Sequence, residues 1–312
     1  MPGGKTPPAA APRTSVLVAT RNGTATIGKL LDALCALVPP PGGWEAVIVD
    51  NASTDGTAAL VASYCDRLPL TLLTEARPGK NRALNQGLGQ VAGDLVAFTD
   101  DDVIPQPDWL VAMREAADAQ PGFTVIGGLI LPCWETQPPA WILETVPLGV
   151  TYALLPDEPE GPGDPKMFWG PNVAIRRAVF DAGLRFDETI GPDGTPDYAM
   201  GSETEMNLRL AALGHRFWRT RAAVVRHIVK ARAFEREWLI ARAHRAGRGA
   251  QRLGRTPYQR GEGSSLQLLV DVTSWRWRRL VAAVCRDKPA VFTAAWKLSW
   301  LKGVAVELRR GG

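Results

Sequence analysis

The chain has 312 residues, 46% hydrophobic and 22% charged, proportions that exclude a disordered, collagenous or disulfide-scaffold protein. Its net charge of +4 hides an asymmetry, because residues 1–205 hold 13 Lys/Arg against 26 Asp/Glu while residues 206–312 hold 23 against 6. Cys35, Cys65, Cys133 and Cys285 lack CxxC or zinc spacing and read as free thiols of a reducing compartment. Taken in chain order, residues 1–13 are rich in Pro, Ala and Gly and are expected to form a disordered tail rather than a signal peptide. Ser15–Ala19 reads as a first strand, followed by an amphipathic helix near Ile27–Leu37. Ala46–Val49 is a second strand ending at Asp50, and Ser53-Thr54-Asp55-Gly56 supplies cap chemistry for a helix through Tyr64. Leu70–Leu73 is a third strand, Asn81–Gln90 a helix, Leu95–Thr99 a fourth strand, and Pro107-Asp108 opens a helix at Trp109. Strict alternation of this kind predicts parallel crossovers and a doubly wound α/β sheet.

Beyond an apolar run at Val125–Leu131 the texture changes. Residues 132–171 carry Pro132, Pro138, Pro139 and Pro147 with Trp134, Trp141 and Trp169, a long irregular segment of the kind that is usually functional. Helical patterning is expected at Ala174–Ala182, at Glu203–Leu213 and through most of 234–312, with Gly/Arg-rich breaks at 247–263. Ser274–Leu280 and Phe292–Leu301 mix Trp, Lys/Arg and apolar residues, which suits a helix in a membrane interface and equally one covering the domain. No zinc module, RNP-like strand or helix-turn-helix argues for nucleic acid. No stretch reaches the roughly 18 apolar residues that span a bilayer, so a cytoplasmic chain is expected, at most peripheral on an anionic membrane surface.

Chemistry concentrates at strand ends. The fourth strand runs into Asp100-Asp101-Asp102, three carboxylates that repel one another unless a cation lies between them. A hard divalent ion such as Mg²⁺ or Mn²⁺ meets that need; a turn capped by Asp is the plainer alternative. Asp50 closes the second strand, where it suits either a base or ribose contact or a helix-start turn.

Four segments in this order resemble family 2 glycosyltransferases of the GT-A fold, over roughly residues 14–230. They are Val16–Asn22, Val49–Thr57, Pro78–Gly87 with Lys80 and Arg82, and the Asp100–Asp102 triplet. The resemblance implies a mostly parallel sheet flanked by helices, with a C-terminal helical extension. It implies domains at 14–232 and 233–312, the first divided into a nucleotide-sugar half at 14–131 and an acceptor half at 132–232. Thr20, Arg21 and Asn22 would then hold the nucleotide, Asp50 the base, and Lys80 and Arg82 the diphosphate. Asp100 would touch ribose or metal, Asp102 would ligate Mn²⁺ or Mg²⁺ directly, and Asp101 would have a weaker donor-site role. His227 would join Asp102 at the metal or diphosphate.

By the same resemblance the segment Gly201–Leu210 supplies the base. Glu203 falls on a position where Asp is usual, one methylene shorter, and would deprotonate the acceptor hydroxyl. Ser202 and Glu205 are spaced as a capping box, so Glu205 reads either as a cap or as an acceptor contact. Trp169 and Asn172 would line the acceptor site, with a buried Trp beside a helix cap as the alternative. The implied activity is metal-dependent inverting transfer from a nucleoside diphosphate sugar, UDP-sugar favoured, to a saccharide or lipid-linked acceptor. Two other readings stay open: a nucleotide-sugar-binding protein without transfer activity, and a peripheral interaction protein built on the basic third.

Overall fold

The computed structural model describes residues 14–155, 157–258 and 264–310, so the tail expected at 1–13 lies outside the described residues. The first half alternates as expected: β1 (Thr14–Thr20), α1 (Ile27–Cys35), β2 (Trp44–Asp50), α2 (Thr57–Ala62), β3 (Leu70–Thr74), α3 (Lys80–Gly87), β4 (Leu95–Phe98). Then come β5 (Val103–Pro105), α4 (Trp109–Ala119), β6 (Val125–Trp134), α5 (Ala140–Thr145), α6 (Leu148–Tyr152) and β7 (Gly161–Pro162). The remainder is β8 (Val173–Arg176), α7 (Ala178–Asp181), α8 (Ser202–Ala212), β9 (Phe217–Val229), α9 (Arg236–Arg252), α10 (Ser264–Val284) and α11 (Lys288–Arg310).

One mostly parallel mixed sheet carries the domain, in the order β3-β2-β1-β4-β8-β6-β9-β5, with β7 on β9. β1 to β4 are mutually parallel, β8 is antiparallel to both its neighbours, and β5 runs antiparallel to β9. Side chains alternate along each strand, so the central strands are apolar on both faces. Val16, Val18, Ile48 and Ala97 face a core shared with α1 and α4. Leu17, Val47, Val49 and Phe98 face a second core shared with α3 and α8. Helices on both faces are what the doubly wound reading requires.

Three expectations are corrected. Ala174–Ala182 is not one helix: Val173–Arg176 is β8, and only Ala178–Asp181 is helical. β8 fills the gap between β4 and β6, and burial of Val173, Ala174 and Ile175 on a pleated surface outweighs their local helical pattern. The proposed break at 247 is absent, because α9 continues to Arg252. Gly247 and Gly303 mark a close crossing of α9 and α11, where an added Cβ would strike the Trp300 and His244 carbonyls. Finally, the Ser202–Glu205 capping box does not form, since Gly201 is the cap residue and no side chain bonds there.

The C-terminal helices are not a loose appendage. Leu239 and Ala243 of α9 and Phe292 and Trp296 of α11 join the core beneath the sheet. None of the helices among the described residues is long and apolar enough to cross a membrane.

Candidate active site

The chain builds outward from β1 through β2 to β3, then returns to place β4 on the other side of β1. That reversal is the switch point at which open α/β sheets form a crevice beyond the carboxyl ends of their strands. Thr20 ends β1, Asp50 ends β2 beside it, and Asp100-Asp101-Asp102 forms the turn from β4 to β5. The carboxylates expected at the donor site therefore share one edge of the sheet.

Lys80, the first residue of α3, joins this edge to the other half of the domain. Its Nζ donates to Asp100 Oδ1 at 2.7 Å and to Glu203 Oε1 at 2.9 Å. The loop before it is held by Asn51, whose Oδ1 accepts from Gly79 N at 2.7 Å while its Nδ2 donates to the Glu75 and Arg77 carbonyls. Burial opposes the Lys80 ammonium, but the two carboxylates outweigh it and keep the group charged above its ordinary range. Burial likewise opposes the Glu203 carboxylate, and Lys80 reverses that, holding it below the usual glutamate range. Asp100 moves the other way: burial and the charges of Asp102 and Glu203 raise it despite Lys80. Gly170 lies against Glu203, and an added Cβ there would collide with the Glu203 carboxyl group.

The members of the triplet have separated roles in the geometry. Asp101 Oδ2 accepts from Thr20 Oγ1 at 2.5 Å, tying the turn to the end of β1. Burial first, then Asp102, push the Asp101 carboxyl up to about 7. Asp102 faces His227 across the β5–β9 pair, Oδ2 to Nε2 at 3.3 Å. His227 Nδ1 lies 2.6 Å from the Tyr152 carbonyl, which can only accept, so Nδ1 carries a proton and Nε2 is turned to Asp102. Asp102 Oδ1 is buried without a hydrogen-bond partner, as is Asp50 Oδ1. Burial opposes the Asp102 carboxylate, but His227 outweighs it and lowers the group; the same pairing raises His227.

An unpartnered buried carboxylate oxygen beside a fixed imidazole nitrogen is a donor set suited to a Mn²⁺ or Mg²⁺ ion. Among the described residues no three His, Cys, Asp or Glu side chains form a cage by themselves. An ion held there would need further oxygens, such as those of a diphosphate, which is how Mg²⁺ is commonly bound.

Other expected site residues are placed differently from one another. Arg21 is exposed, its guanidinium against Gly194. Asn22 adopts a left-handed backbone at φ 53° and stitches its loop to the next, accepting from Thr54 N at 2.8 Å. Thr20 is buried and engaged with Asp101. Arg82 pairs with Glu188 at 3.5 Å. Trp169 is half-buried and donates from Nε1 to the Lys166 carbonyl at 2.7 Å.

Asn172 and Glu205 are engaged by partners within the fold. Asn172 is 0% exposed; its Oδ1 accepts from Trp109 Nε1, and its Nδ2 donates to the Leu129 and Ala223 carbonyls. Its amide makes its hydrogen bonds inside the fold. Glu205 is neither cap nor open contact, because it accepts twice from Arg209, at 2.5 and 2.7 Å. An (i, i+4) partner on the same helix competes successfully with the reach back to the cap.

Four residues were not singled out from the sequence. Asn51 positions the Lys80 loop; Asn81 donates to the Asp187 and Ile190 carbonyls; Asn207 donates to the Pro165 and Phe168 carbonyls. Each pins a loop at the crevice, and the amides of Asn51 and Asn81 lie within motif segments where only more familiar charges stood out. Arg242 of α9 is the fourth: burial lowers it, Tyr198 opposes that, Arg245 lowers it further, and the Glu203 and Asp102 charges pull it back. No local pattern links α9 to the crevice.

The fold is that of a GT-A glycosyltransferase. The structure of the mannosyltransferase PcManGT from Pyrobaculum calidifontis in complex with GDP-Man and Mn²⁺ superposes with a TM-score of 0.62 at 22% identity, over 96% of this chain and 87% of that one. TarS 1-349 of S. aureus in complex with UDP-GlcNAc does so with a TM-score of 0.52 at 19% identity, over 96% and 92%. Within that fold, the chain belongs to glycosyl transferase family 2, whose family model matches residues 15–184. Beta-monoglucosyldiacylglycerol synthase of Nostoc sp. is 38% identical over 104 residues, 32% of this chain and 22% of that protein. The chain matches no more than about a third of the length of the first curated relatives, 33% and 22%.

Proposed function

We propose that this chain transfers a glycosyl group, with inversion, from a nucleoside diphosphate sugar to a hydroxyl of a saccharide or lipid-linked acceptor. The observation that carries this reading is the Lys80 bridge, which brings a β4-end carboxylate and the α8 carboxylate to one ammonium at 2.7 and 2.9 Å. On this reading donor-side and acceptor-side groups meet at a single point, and transfer needs such a meeting.

Asp50, with one carboxylate oxygen unpartnered, would accept hydrogen bonds from the base, and Arg21 and Thr20 would border the nucleotide. A uridine donor is favoured by family resemblance, and the UDP-GlcNAc bound by TarS fits it, although PcManGT was solved with GDP-Man. Asp102 and His227 would hold Mn²⁺ or Mg²⁺ against the diphosphate, whose oxygens would complete its coordination, with Asp100 beside the ribose. Such an ion supplies Lewis-acid stabilisation of the charge gathering on the departing diphosphate. Lys80 would exchange Glu203 for diphosphate oxygens as the donor enters, which returns Glu203 toward the basicity of an ordinary carboxylate. Glu203 then takes the acceptor hydroxyl proton. The acceptor oxygen forms its bond to the anomeric carbon while the bond from that carbon to the diphosphate oxygen breaks on the opposite face. A lipid acceptor has a parallel in the Nostoc relative, named for a glucosyldiacylglycerol.

The test is release of nucleoside diphosphate from a panel of nucleotide sugars with Mn²⁺, and transfer to candidate acceptors, by wild type and Glu203→Gln. Turnover by wild type alone supports the reading. Tight donor binding with no turnover on any acceptor would instead identify a nucleotide-sugar-binding protein. Full activity in EDTA would remove the metal, and full activity of Glu203→Gln would remove the base.

A further inference from the structure

Helix α10 has two apolar faces, and only one of them is used by the fold. Leu268, Val272 and Trp275 pack onto Trp300, Leu301 and Val304 of α11. On the opposite side, Leu266, Val270, Trp277, Leu280 and Val284 recur at helical spacing and point outward, Trp277 at 66% exposure and Val284 at 77%. Among the described residues, seven of the eleven large hydrophobic side chains recorded as exposed belong to this one helix. Scattered exposed apolar residues are ordinary; a contiguous stripe of them marks an interaction surface.

Charge selects the occupant. Arg276, Arg278, Arg279 and Arg286 are all exposed, and no Asp or Glu occurs from Val272 to Arg286. On a helical projection Arg276 and Arg278 flank the apolar stripe, one on each side, and Arg278 lies 4.8 Å over the Trp275 ring. A second copy docked through a two-fold axis would bring this stripe against itself and set the same arginines against each other. An anionic bilayer offers acyl chains to the stripe and phosphate to its edges, and Trp belongs at that boundary.

We infer that the outer face of α10 is a membrane-docking surface, which seats the enzyme in the interface of an anionic bilayer with α10 parallel to the plane. α10 packs on α11, and α11 on α9. α9 in turn rests at Gly249 on the Met200 backbone, three residues before Glu203. The surface and the acceptor-side carboxylate therefore belong to one continuous packed layer, and docking would hold the crevice at a fixed attitude to lipid.

The test is co-sedimentation of the full chain with phosphatidylcholine vesicles, with and without about 30 mol % phosphatidylglycerol, alongside sedimentation velocity without lipid. Wild type is expected to bind the anionic vesicles and release them as salt rises. The variant Val270→Glu/Trp277→Glu/Leu280→Glu is expected to lose partitioning at least tenfold with an unchanged circular dichroism spectrum and melting temperature. Arg276→Glu/Arg278→Glu should lose binding to anionic vesicles only. Equal binding by wild type and the triple variant, or a lipid-free dimer that the triple variant abolishes, would overturn the inference. Neither readout needs donor or turnover, so failure here leaves the transferase reading intact.

Discussion

Lys80 and Glu203 lie 123 positions apart in the chain and meet at 2.9 Å, with the same ammonium 2.7 Å from Asp100. Lys80 therefore sets the basicity of the carboxylate proposed to deprotonate the acceptor. Glu203→Gln keeps the shape and removes the base, so kcat is expected to fall by about 10²–10⁴-fold with donor binding retained. Single-turnover transfer beside donor titration checks this.

Removing the cation has a directional effect on pH dependence. Burial raises a carboxylate, and Lys80 is what keeps Glu203 low. In Lys80→Met the Glu203 carboxyl should titrate higher, moving the acid limb of the kcat/KM profile to higher pH. An acid limb left where it is in wild type would show that Glu203 is not the group being titrated.

Asp102→Asn and His227→Ala each remove one proposed metal contact. In wild type, donor plus Mn²⁺ at roughly 100 times the dissociation constant should stabilise the fold by about 2.7 kcal/mol. Both variants should lose most of that increment, measured from each variant's own ligand-free melting temperature. Differential scanning fluorimetry with EDTA and Mn²⁺ arms reads the difference.

Asp101 titrates near 7 because burial and Asp102 disfavour its charge. A carboxyl raised from its unfolded value contributes stability at acid pH and loses it as pH climbs toward 7. Asp101→Asn should therefore raise the melting temperature at pH 8, by about 2–4 °C for on the order of 1 kcal/mol. The gain should vanish at pH 4. Melts in EDTA at the two pH values decide it.

Asn172→Ala tests a scaffold role against an acceptor role. The change leaves Trp109 Nε1 and the Leu129 and Ala223 carbonyls without their partner, at about 1–3 kcal/mol for each group that stays buried and unpaired. Urea unfolding should show a large loss of stability, with the acceptor KM of the remaining folded enzyme unchanged. A raised KM at full stability would return Asn172 to the acceptor site.

The residues that could be read from the chain alone were those whose signal is local. Val16, Val47, Val96 and their neighbours spell buried strands, and the turns after them carry Asp50 and Asp100-Asp101-Asp102 at strand ends. Backbone sterics and burial act over a few residues, so alternating strands, the doubly wound sheet and the charged carboxyl edge follow from short segments. Lys80 and Glu203 could each be named from a motif. Their pairing depends on the β4–β8 and β6–β9 contacts that fold the second half onto the first.

Tertiary structure decided the cases in which one local pattern has two outcomes. Val173-Ala174-Ile175 could have extended a helix, and the open place between β4 and β6 made it a strand. Asn172 and Trp169 are adjacent in the chain, but only distant carbonyls could take up the Asn172 amide completely. Asp101 and Asp102 share a sequence context and part company through Thr20 and His227, 81 and 125 positions away respectively. The composition of α10 already held an apolar, arginine-rich helix, but which face α11 covers and which stays exposed is settled by packing between the two helices. Side-chain type fixes what chemistry a residue can perform; long-range contacts fix which partner it performs it with, because hydrogen bonds and ion pairs act only at a few ångströms.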